Sequence, residues 1–359
     1  MYRFLLKIFF LLLLTHLTRS LSAQNNIEFD EKRDWEIFPI VNYDSDVGFG
    51  YGIKGFFYNF LGNKESFDLT IYNSTKGERW YQFVYSIPDK QRRQGKKYNL
   101  AFDLILDYDK WINYPYFNNS YFPSEYYIYG SDESSENYIR EPIEIKAMLS
   151  RAFTRDFIVD FGLKFSSISC YNFDADGYLQ YLDPDQAQHL SVIFNFGLDT
   201  RTDFINPQKG IVVTISNELA RDVTGKHESF YRIGLKFNSY LKISVPEIIL
   251  ASRIILQAQT ETSYQNRLVL GGNKSIRGIP QDRYLSYSSI LLNSELRFPI
   301  WWRIGAVVGL DVGNSPSTPK WILNPVAGLR FYMDNFVVRA DVGFGEESTG
   351  VYFNFGHLF

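Results

Sequence analysis

Histidine is the side chain best suited to move protons near neutral pH, and the chain holds four. Three of them, His189, His227 and His357, lie beyond the N-terminal apolar run. A hydrolase would need one of these poised beside a serine or a carboxylate. His189 and His227 sit at the ends of alternating segments, near Asp183, Asp185 and Glu228, and read as surface histidines. His357 falls on the apolar side of the last segment and reads as a residue of a membrane-interface girdle. No catalytic set emerges, so the expectation is a protein that is not an enzyme. DADGYLQYLDPDQ (174–186) carries four aspartates but lacks the spacing of a calcium loop. The single cysteine, Cys170, excludes an intrachain disulfide and a cysteine-cluster metal site. No metal and no cofactor are expected.

A different chemistry stands out in LVLGGNKSIRGIPQDRY (268–284). GGNKS is not a phosphate loop, because Asn273 precedes the lysine and no βαβ pattern surrounds it. The distinctive residue is Arg277, set between Ile276 and Gly278 and preceded by Gly271 and Gly272. Two alternating segments follow. In 286–300, Ile290, Leu292, Leu296, Phe298 and Ile300 share one face, which turns Asn293, Glu295 and Arg297 to the other. In 303–313, Ile304, Ala306, Val308, Leu310 and Val312 share a face and leave Asp311 opposite, between Gly309 and Gly313. An arginine meeting a carboxylate there makes two parallel hydrogen bonds, and the glycines permit close backbone approach and positive φ. An Arg277 that reached Asp311, or Glu295 as a further partner, would hold its loop to that inner wall. The plainer alternative is an exposed turn arginine.

The elements around these residues are strands. Sixteen segments alternate: 36–42, 46–60, 65–74, 78–87, 97–109, 138–152, 155–170, 187–198, 209–220, 228–243, 247–262, 286–300, 303–313, 323–333, 335–345 and 350–359. Period-two alternation is the strand signature. One face is almost continuously aromatic or branched, while the other mixes glycine with single charges of both signs. That suits lipid outside and a crowded polar lumen inside, where a soluble sandwich would need a second sheet over every strand. Aromatics at 18% fit the same picture. The predicted fold class is all-β: a transmembrane antiparallel β-barrel of sixteen strands, outer-membrane type. Tight connections (LGNK, TR, VPE, WW and the residues around Asp334) alternate with long ones (110–137, 171–186, 263–285), which puts both termini on the short-turn side. The first strand reads as shortened by Pro39. A net charge of −3 without a long basic run gives no reason to expect nucleic acid.

The N-terminus has a basic start, an apolar run from Ile8 to Leu14 and small residues at Ser20, Ser22 and Ala23. This reads as an export signal, 1–22, and the run is too short to span as a helix. A short periplasmic segment, 23–35, would then lead into the barrel, 36–359.

GGNKSIRG, LLNSELRFPI and VVGLDVGN together resemble the C-terminal barrel of the Omp85 superfamily, the BamA/TamA surface-antigen group. In that family a Val/Ile-Arg-Gly-aromatic loop folds into the lumen and meets the aspartate of a Phe-x-Asp-x-Gly strand. Ile276-Arg277-Gly278-Ile279 and Leu310-Asp311-Val312-Gly313 match, with Ile279 and Leu310 as departures. DTRTDFINPQKG (199–210) is similar to the family's Asp-x-Arg turn, FPIVNYDSDVGFGYGIKG to its first hairpin, and Phe359 to the terminal aromatic that barrel-assembly machinery recognises. The resemblance implies a cell outer-membrane location and contact with outer-membrane lipid. It also implies help in inserting or translocating polypeptides, or lipids, through a lateral seam between the first and last strands. Client polypeptides and partner proteins of the envelope would be its partners. The periplasmic POTRA repeats of assembly members are missing from the pattern, so a passive channel or a structural barrel subunit stays open as the alternative.

Overall fold

Side chains that alternate between branched or aromatic and small or charged can satisfy their backbone within a bilayer only by pairing strand to strand until the sheet closes. The computed structural model describes residues 32–117, 135–173, 186–243, 247–333 and 336–359, and in it the sheet closes. The strands are β1 (Asp34–Asp44), β2 (Gly48–Tyr58), β3 (Ser66–Ser74), β4 (Glu78–Ile87), β5 (Tyr98–Phe117) and β6 (Ser135–Ala152). Next come β7 (Phe157–Tyr171), β8 (Ala187–Asp199), β9 (Gly210–Asp222), β10 (Phe230–Ile243) and β11 (Ile248–Gln259). Two three-residue strands, β12 (Leu268–Leu270) and β13 (Tyr284–Ser286), pair only with each other. The wall resumes with β14 (Ser288–Trp301), β15 (Ile304–Asn314), β16 (Ile322–Tyr332), β17 (Val337–Phe344) and β18 (Thr349–Phe355). β11 pairs directly with β14, so residues 260–287 hang from the wall as one loop.

Sixteen strands thus form a closed antiparallel barrel, as the alternation predicts. Outward positions such as Leu163 on β7 and Leu323 and Leu329 on β16 are half or more exposed. Their inward neighbours Arg297, Arg330, Asp311 and Asp341 are buried. No described helix is long and apolar enough to cross a membrane. The export signal, residues 118–134 of the long connection 110–137 and the aspartates of 174–185 lie outside the described residues.

Four expectations need correction. β1 runs straight through Pro39, from Asp34 opposite Tyr58 to Asp44 opposite Gly48, so the proline does not shorten it. β5 and β6 run well past 109 and start before 138. Their extension is held by inward Trp111, Tyr114 and Tyr138, which pack with Val47, Cys170, Tyr264 and Leu285 in one buried cluster. The loop after β11 contains the β12–β13 hairpin, joined from Leu268 opposite Ser286 to Leu270 opposite Tyr284. The last strand stops at Phe355, because Gly356 takes a φ of 78° that turns the chain off the wall.

Candidate functional site

The loop 260–287 enters the lumen because its own sequence gives it both an apolar underside and a charged tip. Ile276 and Ile279 pack with Leu270, Tyr284, Leu291 and Ile322. Gly271 (φ 130°), Gly272 (φ 85°) and Gly278 (φ 86°) supply left-handed backbone around them, a region that costs glycine little. Between these apolar contacts the chain presents Arg277, fully buried.

Arg277 makes both bonds of the expected fork with Asp311 on β15. Nε reaches Oδ2 at 2.8 Å and Nη2 reaches Oδ1 at 2.9 Å, while the Arg277 backbone N–H adds a third bond to Oδ2 at 3.0 Å. Its Nη1 donates to Glu295 of β14 and to Asp341 of β17, each at 2.9 Å. All four side chains are without solvent exposure. A buried charge is tolerable only when paired and hydrogen-bonded, and here the pairing continues outward. Glu295 accepts from Arg297 at 2.9 Å and Arg330 at 3.3 Å. Asp341 accepts from Arg330 at 2.5 Å and Arg339 at 3.0 Å. Among the described residues Asp311 accepts a hydrogen bond from Asn293 alone besides Arg277, at 2.7 Å, with the Arg253 guanidinium as a further attracting charge.

The sequence reading brings Arg277, Asp311 and Glu295 to this place, turns Asn293 and Arg297 inward without giving them a partner, and misses Asp341, Arg330 and Arg339. Asp341 and Arg339 were visible on the polar face of 336–345, but nothing local says which inward charge faces the loop. The glycines matter through close approach. A Cβ on Gly343 would sit 2.4 Å from the Arg277 carbonyl carbon, and one on Gly313 2.3 Å from Ile276 Cδ1. At Gly309 it would meet the Ser294 carbonyl oxygen at 2.4 Å. The Gly278 N–H donates to Tyr352 Oη of β18 at 3.0 Å, and Ser348 Oγ donates to the Gly278 carbonyl at 2.9 Å. The loop therefore touches every strand from β14 to β18.

β18 borders β1 for only a short stretch: Tyr43 stands opposite Phe353 and Asp44 opposite Tyr352. Ser45 adds a clasp, its N–H donating to the Val351 carbonyl at 3.1 Å while its Oγ accepts from the Val351 N–H at 2.6 Å. Among the described residues, β1 from Asp34 to Asn42 is paired on the β2 side alone. At the clasp, burial and then the Asp44 carboxylate raise the pKa of Asp46 from 3.8 to about 7.

Beyond Gly356 the tail runs inward. Phe359 is buried, its ring 5.1 Å from the Arg297 guanidinium and 5.3 Å from that of Arg253. Its carbonyl accepts from Arg297 at 3.0 Å. Phe359 and Leu358 pack on Tyr240, Ala251 and Val212 of the opposite wall. Phe359 thus does not end a lipid-facing strand. His357 is likewise off the apolar face, its Nε2 3.1 Å from Asn206 Oδ1 in the β8–β9 turn. In that turn Arg201 forks onto Asp199, with Nη2–Oδ2 at 2.6 Å. His189 is fully buried, not a surface histidine, and its Nε2 meets the backbone carbonyl of Glu228 at 3.0 Å, not that residue's carboxylate.

Residues 59–321 match the family model described as the Omp85 superfamily domain. BamA from Haemophilus ducreyi lacking POTRA domains 1-3 superposes with a TM-score of 0.66 at 13% identity, covering 92% of this chain and 71% of that one. CdiB from Escherichia coli gives 0.62 at 14% identity, covering 90% and 62%. CdiB from Acinetobacter baumannii gives 0.56 at 14%, covering 90% and 65%. At these identities the likeness is one of fold, and the chain spans less than two thirds of either CdiB chain. No curated protein matches.

Proposed function

Because the chain belongs to the Omp85 superfamily, we propose that it assists insertion or translocation of polypeptides, or lipids, at the outer membrane, with the β1–β18 border as its working edge. The observation that carries this reading is the free side of β1 from Asp34 to Asn42. Each backbone group left unpaired in hydrocarbon costs several kcal/mol, in the general range for polar groups without water. Such an edge must be met by water, by locally thinned lipid or by another strand. An open row of N–H and C=O groups is also a template on which a client strand can add. The short clasp at Tyr43, Asp44 and Ser45 makes opening inexpensive compared with separating β1 from β2, which are paired end to end.

In this reading the docked loop keeps the lumen occupied while the edge works, and Arg277 with Asp311, Asp341 and Glu295 is its latch. Envelope partner proteins would deliver clients to the short-turn side. The test is a disulfide across the clasp, Tyr43→Cys with Phe353→Cys, in a Cys170→Ser background. Locking it should abolish insertion of a reporter barrel into proteoliposomes, and reduction should restore it. Undiminished insertion with the clasp locked would refute the edge mechanism. A steady ion conductance with no insertion activity in either state would identify a passive channel instead.

A further inference from the structure

One part of the outer wall is neither seam nor loop seat. On the lipid-facing side near the loop end, Ile215 of β9, Leu235 of β10, Leu256 of β11 and Ile290 of β14 stand in register as a continuous apolar row. One step closer to the loops the row is broken. Ile233 is followed across the register by Ala258 and Ser288, two small side chains where the neighbouring row carries leucine and isoleucine. The result is a groove of about 700 Å³, closed at its loop end by Asn314, Ser315 and Pro316. That volume lies within the range of small-ligand sites, roughly 300–1,000 Å³.

Its chemistry is graded along its length. The lower walls are aliphatic, and the loop end is lined by polar side chains. Ser315 there is buried, yet its Oγ has no hydrogen-bond partner among the described residues. Buried hydroxyls are nearly always satisfied, so this one has room for an acceptor that the described residues do not supply. The medium against this face of a membrane-spanning barrel is lipid.

We infer that the groove seats one acyl chain of a membrane lipid from the leaflet on the loop side, with its ester carbonyl accepting from Ser315 Oγ. The aliphatic row takes the methylene chain, the gap at Ala258 and Ser288 gives it room, and the hydroxyl fixes its depth. The inference rests on the barrel spanning a membrane but not on the working edge, which lies elsewhere on the wall.

The test uses the full chain in nanodiscs containing a diester phosphatidylcholine with a mid-chain diazirine, irradiated and mapped by peptide mass spectrometry. Labelling at Leu256 and Ile290 should exceed that at Leu163, a residue of β7 at least as exposed to lipid, by roughly fivefold, the ratio set by about one satisfied hydrogen bond. Ala258→Phe, which fills the groove from β11, and Ser288→Leu, which fills it from β14, should each reduce labelling to the Leu163 level. An ether-linked probe should label less than the diester in the wild type and equally in Ser315→Ala. A heat-modifiable band establishes that each variant is folded. Equal labelling at Leu163 and Leu256, or labelling unmoved by both filling variants, would show ordinary annular lipid and overturn the inference.

Discussion

Replacing Arg277 by alanine removes one cation from a cluster with three carboxylates, but the three do not suffer alike. Asp341 keeps Arg330 and Arg339, and Glu295 keeps Arg297 and Arg330. Asp311 loses the two hydrogen bonds of the Arg277 side chain and keeps the Asn293 amide, the backbone N–H of residue 277 and the attraction of the Arg253 guanidinium. A buried carboxylate left wholly unpaired costs roughly 3–5 kcal/mol, which sets the upper bound: the docked fraction of the loop falls by a factor of at most about 10² to 10⁴. The wall should survive, since its ladders involve none of these side chains. The expected result is a heat-modifiable barrel in which trypsin cuts after Lys274 and Arg283 and planar-bilayer conductance rises. Asp311→Ala should be milder, because Arg277 retains Glu295 and Asp341. The double variant should resemble Asp311→Ala, not the sum of the two. Arg277→Lys should fall between, having charge without the fork. Strictly additive losses, or a loop that stays protected in Arg277→Ala, would refute the assignment of Asp311 as the dependent partner.

Gly343→Ala should release the same loop by a steric route, since its Cβ would overlap the Arg277 backbone. Overpacking of this kind costs about 1–3 kcal/mol, and an unchanged tryptic pattern would contradict the close approach. Phe359→Ala removes a ring from two guanidinium groups, worth roughly 1–2 kcal/mol. A cysteine at Leu358 in the Cys170→Ser background should then react faster with maleimide, and an unaltered rate would mean the tail is not held by the ring. The clasp should respond to pH. Asp46 is half-buried between Asp44 of the clasp and Gln281 and Asp282 of the docked loop and keeps its proton up to about 7, and an opening that hydrates this side of the clasp returns it toward 3.8. Closure therefore takes up a proton between these values, so its contribution is complete below 3.8 and is lost as pH rises through about 7. Spin labels at positions 43 and 353 should report a larger open fraction at pH 8 than at pH 5, and Asp46→Asn should flatten the profile. A profile that persists in Asp46→Asn would place the titration elsewhere.

The wall was readable because its information is local: two-residue periodicity states which face each side chain takes, and sixteen alternating segments became sixteen paired strands. The Arg277–Asp311 pairing was readable for a different reason, since both lie in short glycine-bracketed motifs that resemble those of the Omp85 superfamily, where the loop arginine meets the strand aspartate. Asp341, 64 residues from Arg277, carries no such mark, because which inward charge a loop meets depends on barrel radius and strand stagger. The tail failed for a third reason. A single glycine at 356 with φ 78° overrides an alternation that otherwise continues through His357 to Phe359. The longer β5 and β6 were hidden because their inward residues above the membrane are aromatic, which reads as ambiguous pattern until the cluster with Tyr264 and Leu285 gives them a surface to cover.

The buried charge cluster also constrains the order in which the barrel can be built. Arg277 precedes in sequence every carboxylate it meets, by 18 residues for Glu295, 34 for Asp311 and 64 for Asp341, and the Gly278 N–H finds its acceptor 74 residues later. Contacts so distant along the chain close late. Until β17 and β18 are in place the guanidinium has no dry seat and must stay in water, which keeps the loop outside a nearly finished cylinder. Loop entry then follows the arrival of the final strand, and the arginine is buried only once β14 to β18 stand side by side.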